Sequence, residues 1–238
     1  MSNMEQDQIN NLNQFDDLDQ IGSVKNNRHK EKIPLSFQLQ WPMIQLSNTF
    51  SSMINGYKRL FKMAPKDLKA MYLKQAQAMN QKGDTRKCVN FLEQVVIIDN
   101  KDYNIVYKLG VAYEKNKQPE GALKAYQRAI TLKPDYARAL YRKALLLLRK
   151  SDYKNALTEL EKAIELQPDS AELYFRLGQA NDRLKKYPKA IECFNKAVEI
   201  NPDSLAVFKH MALTHDSMEN HKEALKCLKR ALEIEEME

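Results

Sequence analysis

The chain has 238 residues, 43% hydrophobic and 29% charged, with six glycines and eight prolines; this composition excludes full disorder, and the shortage of turn formers argues against a turn-rich all-β fold. Thirty-eight Lys and Arg against 31 Asp and Glu leave a net charge of +7, an excess too small over this length to require nucleic acid. No apolar run approaches the roughly 20 residues of a membrane span, and Cys88, Cys193 and Cys227 form no close pair, so an intracellular, most simply cytoplasmic, location is expected.

Residues 1–45 read as a largely irregular, Asn- and Gln-rich arm. Its first 23 residues carry Glu5, Asp7, Asp16, Asp17 and Asp19 and no Lys or Arg, a composition that does not order on its own. From 24 to 68 the balance reverses, with eight Lys and Arg against Glu31 and Asp67. The cluster Lys25, Arg28, Lys30 and Lys32 reads as a solvated linker. Residues 46–68 predict an amphipathic helix. Leu46, Phe50, Met53, Ile54, Tyr57, Leu60 and Phe61 fall largely on one face, with Ser47 as a cap. This segment is expected to cap or anchor whatever follows; Lys58, Arg59 and Lys62 also allow a membrane-surface helix.

From residue 69 onward the sequence repeats. Pro134, Pro168 and Pro202 stand 34 residues apart, each just after a helical pattern ending in Leu132, Leu166 or Ile200. Two columns of small residues keep the same period: Cys88, Ala122, Ala156, Ala190 and Ala224, and Val95, Ala129, Ala163, Ala197 and Ala231. Small residues at fixed spacing on two faces let two antiparallel helices approach closely, with Leu92, Tyr126, Leu160, Phe194 and Leu228 expected to fill the remaining space.

These residues resemble the tetratricopeptide repeat family. Gly110, Ala144, Gly178 and Ala212 match the family's small residue in the first helix of each unit, and Tyr113, Tyr153, Tyr187 and the prolines closing the second helix match other positions of its pattern. The resemblance implies an all-α, right-handed superhelix of helix-turn-helix units, here five: 69–102, 103–136, 137–170, 171–204 and 205–238. Stacking supplies the core that no single unit can bury, and the first helices line a concave groove.

Catalytic chemistry is not expected. Among the histidines, His215 and His221 occupy positions where sister units have Tyr, so they read as polar substitutes for core aromatics. The successive spacings of five and six from His210 to His215 to His221 do not place them on one helical face as metal ligands four apart would be. Cys193 and Cys227 read as packing residues. No cofactor or metal site, phosphate loop or nucleophile elbow is recognisable. The informative surface is the groove. Lys74, Lys108, Arg142, Arg176 and His210 form one column, Tyr107, Tyr141 and Phe175 stand beside it, and Lys115, Arg149 and Arg183 form a second. Some members of the family hold the C-terminal carboxylate of chaperones in a clamp; at its positions this chain has Leu73, Gln77, Lys108, Arg138 and Arg142, and only the last two fit.

The expected function is therefore a non-catalytic scaffold that holds a protein partner, an acidic extended segment or a helix, in a basic, aromatic-lined groove, with assembly contacts through residues 1–68 and the C-terminal repeat. The alternatives are a peripheral binder of anionic membrane or nucleic acid through residues 24–68, and a regulatory subunit of an enzyme.

Overall fold

The computed structural model describes residues 64–237, which fold as ten helices with no strand among them. The helices are α1 Pro65–Gln81, α2 Thr85–Ile98, α3 Tyr103–Lys115, α4 Pro119–Leu132, α5 Ala137–Arg149, α6 Tyr153–Leu166, α7 Ala171–Arg183, α8 Tyr187–Ile200, α9 Leu205–Ser217 and α10 His221–Glu235. The arm 1–45 and the amphipathic segment up to residue 63 lie outside the described residues.

Local chemistry starts and stops these helices. Asp84 accepts from the Lys87 amide at 3.1 Å to open α2, and Asp102 accepts from Asn104 and Ile105 to open α3 at 3.0 and 3.3 Å, satisfying amides that have no intrahelical partner. Proline stands in the first turn of α1, α4 and α8, where its missing N–H costs nothing. α1 begins at Pro65, four residues ahead of Lys69, and is 17 residues long where the other first helices have 13. Within each hairpin the turn is closed by one left-handed residue: Gly83, Lys117, Ser151, Lys185 and Glu219, with φ between 57° and 74°. Only the first is glycine, the residue with no steric penalty there.

Consecutive helices pack as antiparallel hairpins, and each hairpin's second helix packs on the first helix of the next hairpin. α7 also touches α5 and α9, so the first helices run side by side along one face. The small-residue columns lie where helices meet: Ala122, Ala129, Ala156, Ala163, Ala190 and Ala197 are all 0% exposed. Tyr126, Leu160 and Phe194 are likewise fully buried. Leu228 departs from the expectation for its column. It is 44% exposed, because no further hairpin covers it among the described residues.

Within a hairpin, the first helix's small residue faces the second helix's large one. A Cβ placed on Gly110 would lie 2.5 Å from Tyr126 Cε1, and one on Gly178 would collide with Phe194 in the same way. Where the second helix offers Leu92, Leu160 or Leu228 instead, the first helix carries Ala76, Ala144 or Ala212.

Candidate functional site

The face lined by the first helices holds most of the residues singled out from the sequence, and polar contacts stitch those helices together across hairpins. Arg142 Nη1 of α5 lies 3.3 Å from Glu114 Oε2 of α3. The Tyr141 hydroxyl donates to Glu172 Oε1 of α7 at 2.8 Å. Gln179 of α7 and His210 of α9 are bonded at 3.0 Å, and the Thr214 hydroxyl donates to Asp182 Oδ1 at 2.8 Å.

These contacts divide the basic column into unequal rungs. Lys74 is exposed. Arg142 is 4% exposed, and its partner Glu114 is nearly as deeply buried. Arg176 Nε meets Glu172 Oε1 at 2.7 Å and its Nη1 donates to Gln179 at 3.0 Å. Burial works against the Arg176 guanidinium, but Glu172 and then Tyr141 outweigh it and raise its pKa. Burial also depresses the His210 pKa, opposed by Asp182 and reinforced by Arg176 and Arg183, which favours the neutral imidazole.

Lys108 differs from all of these. It is half-buried on α3, burial lowers its pKa with only partial opposition from Asp102, and no carboxylate of the described residues lies within ion-pair distance. Arg138, at the start of α5, is exposed. The second column, Lys115, Arg149 and Arg183, stands exposed at the C-terminal ends of α3, α5 and α7.

The aromatic bodies contribute mainly to packing. Tyr107 and Phe175 are both 7% exposed. Tyr107 stacks against Tyr126 and Tyr136 at ring separations of 5.6 and 5.2 Å, and Phe175 against Phe194 and His210 at 6.0 and 5.2 Å. Tyr141 is half-buried, its pKa pushed up by burial and by Glu172. The acidic side of this face is not among the residues singled out from the sequence. Glu114, Asp182 and Asp216 recur at one repeat position, and Glu172 precedes Arg176 by one helical turn; reading those columns against the basic one would have exposed the pairing.

Outside this face, His221 has a side chain 70% exposed and paired with Asp216 at 2.8 Å, so it replaces no core aromatic. Cys227 is buried and Cys193 half-buried; burial, followed by Glu192, pushes the Cys193 thiol up to about 11. That is the character of packing thiols. Among the described residues no group of three or more His, Cys, Asp or Glu could hold a metal ion, and no helix is long and apolar enough to cross a membrane.

Comparison with known proteins agrees with this architecture. Tetratricopeptide repeat models match residues 107–163, 141–204 and 210–236, together more than half of the chain. A solved structure of MamA from Desulfovibrio magneticus RS-1 is similar at a TM-score of 0.70 and 26% identity, covering 74% of this chain and 99% of that one. MamA from strain MSR-1 gives 0.63 and 28%, covering 71% and 97%, and MamA from strain AMB-1 gives 0.64 and 28%, covering 70% and 99%. In all, 454 solved chains match, so the fold is shared too widely to identify a partner by itself. No curated protein sequence matches.

Proposed function

Because the chain belongs to the tetratricopeptide repeat family, we propose that it is a non-catalytic protein-interaction scaffold whose first-helix face holds an extended acidic segment of a partner protein, anchored on Lys108. In this reading the repeat units are 69–102, 103–136, 137–170, 171–204 and 205–238. One observation carries the reading. At the positions equivalent to Lys108, Arg142 and Arg176 are matched by carboxylates and His210 is held by Gln179, whereas Lys108 is half-buried with no such match among the described residues. A half-buried cation without an anion is a destabilising arrangement that an incoming carboxylate relieves. Lys74 and Arg138 stand exposed on the first helices of the adjoining hairpins. Packed first helices lie ~10 Å apart and an extended strand advances ~3.3 Å per residue, so a matching ligand carries an acidic residue at about every third position.

The test titrates the full chain with a fluorescein-labelled peptide bearing Glu at every third position and Leu between. Removing a charge-assisted hydrogen bond costs about 1.5–3 kcal/mol, so Lys108→Met is expected to weaken binding ~10- to 100-fold. Lys108→Arg should retain it, and Lys154→Met on α6 should leave it unchanged. Wild-type affinity in Lys108→Met would remove this face as the recognition surface.

A further inference from the structure

The last hairpin bares an apolar face that the preceding ones cover. Leu225, Leu228 and Leu232 of α10 are 66, 44 and 58% exposed, and Leu213 of α9 is 65% exposed. Their counterparts are better covered: Leu160 and Phe194 at the position of Leu228 are 0% exposed, and at the position of Leu213 stand Val111 and Leu145, 4 and 8% exposed, and the half-buried Gln179. Four large aliphatic side chains exposed on one hairpin mark an interaction surface more often than a chance distribution of single residues does.

The repeat itself shows what such a face receives. Leu173 and Leu177 of α7 share a core with Leu160, Ala163 and Ile164 of α6. Val207 and Met211 of α9 share one with Phe194, Ala197, Ile191 and Val198 of α8. Leu225, Leu228 and Leu232 repeat Ile191, Phe194 and Val198 one period later. The seat on α10 is therefore shaped for a helix presenting apolar residues four apart.

Residues 46–57 carry that spacing: Leu46 and Phe50, Phe50 and Ile54, and Met53 and Tyr57 stand four apart. α1 does not, because it offers Met71 and Gln75 where α9 offers Val207 and Met211. Charge points the same way. Residues 46–63 hold Lys58, Arg59 and Lys62 and no acidic residue, while residues 216–238 hold seven carboxylates against four Lys and Arg. Residues 65–87, by contrast, hold six Lys and Arg against two carboxylates, and repel a basic segment. The tether to α1 is too short for the segment to serve its own α10 as a helix: 18 residues make a helix of ~27 Å, and four hairpin steps at ~10 Å each separate the two ends of the stack.

We infer that the α9–α10 hairpin docks residues 46–63 of a second copy of this chain, joining copies head to tail. The two surfaces differ, so the contact is heterologous and repeats until the ends are exhausted. It does not involve Lys108, and stands or falls separately from the groove reading.

Sedimentation velocity on the full chain tests it. Wild-type protein is expected to gain mass with concentration and to lose that gain in molar salt, where Lys58, Arg59 and Lys62 no longer feel the carboxylates. The double variant Leu225→Glu/Leu232→Glu should stay at the mass of one chain, as should Phe50→Glu/Ile54→Glu. Mixing the two variants should give a species of two chains that grows no further, since each supplies one intact half. Circular dichroism of both variants is expected to match the wild type, Leu225 and Leu232 being exposed already; a variant that loses helix is replaced by the corresponding Ser substitutions. A wild-type chain that stays monomeric at millimolar concentration overturns the inference. So does association in both variants at the wild-type level, or a mixture that yields no dimer.

Discussion

Gly110 and Tyr126 illustrate how far one residue's identity depends on another sixteen positions away. With a Cβ on Gly110 only 2.5 Å from the Tyr126 ring, Gly110→Ala overpacks the hairpin and is expected to destabilise it by about 1–3 kcal/mol, although alanine is the better helix former by ~1 kcal/mol. Adding Tyr126→Leu recreates the combination already present as Ala144 and Leu160, so the double variant should recover much of that loss. Urea unfolding of the two single variants and the double variant closes the cycle. Strictly additive effects would show that the ring is not what excludes the methyl group. Lys108 is the contrasting case, a half-buried cation whose pKa burial lowers.

Between elements, the Arg142–Glu114 pair ties α5 to α3. With Arg142 4% exposed and Glu114 8%, Arg142→Leu removes the cation from a buried ion pair and is expected to cost about 3–5 kcal/mol, measured as a lowered urea midpoint with unchanged slope. Adding Glu114→Gln should return a large part of it; a single variant as stable as wild type would mean that water reaches Glu114. The helices and their pairing were legible in the sequence, because local signals mark them: Asp102 at a helix start, proline after α4, α6 and α8, small residues where helices touch. The role of Arg142 was not. Whether a cation on a first helix is solvated or matched depends on the neighbouring first helix, 28 residues away for Arg142 and Glu114, and a period of Lys and Arg says nothing of what stands opposite. His221 shows the same limit at the end of the array, where the tyrosine positions of inner hairpins become solvent-facing.

Across the whole described array, stability is a sum of hairpin terms and neighbour terms, and the α9–α10 hairpin has a described neighbour on one side only. Amide exchange in dilute protein is therefore expected to be faster in α10 than in α6 or α8, where Leu160 and Phe194 are sealed. Equal protection of α10 and α6 would mean that something already covers the leucines. The matching of Gly110 to Tyr126 and Gly178 to Phe194, against Ala144 to Leu160, also governs how such an array can be recombined. Cutting at the prolines between hairpins moves each large residue together with the space made for it, so α3–α4 and α7–α8 can be transplanted into each other's places as sealed cassettes. Cutting at the left-handed turn inside a hairpin and splicing α5 to α4 drives the Ala144 methyl into the Tyr126 ring, and splicing α3 to α6 leaves a hole between Gly110 and Leu160. The unit that can be inherited, duplicated or grafted intact is the complete hairpin, and its safe seams are the loops that carry Pro134, Pro168 and Pro202.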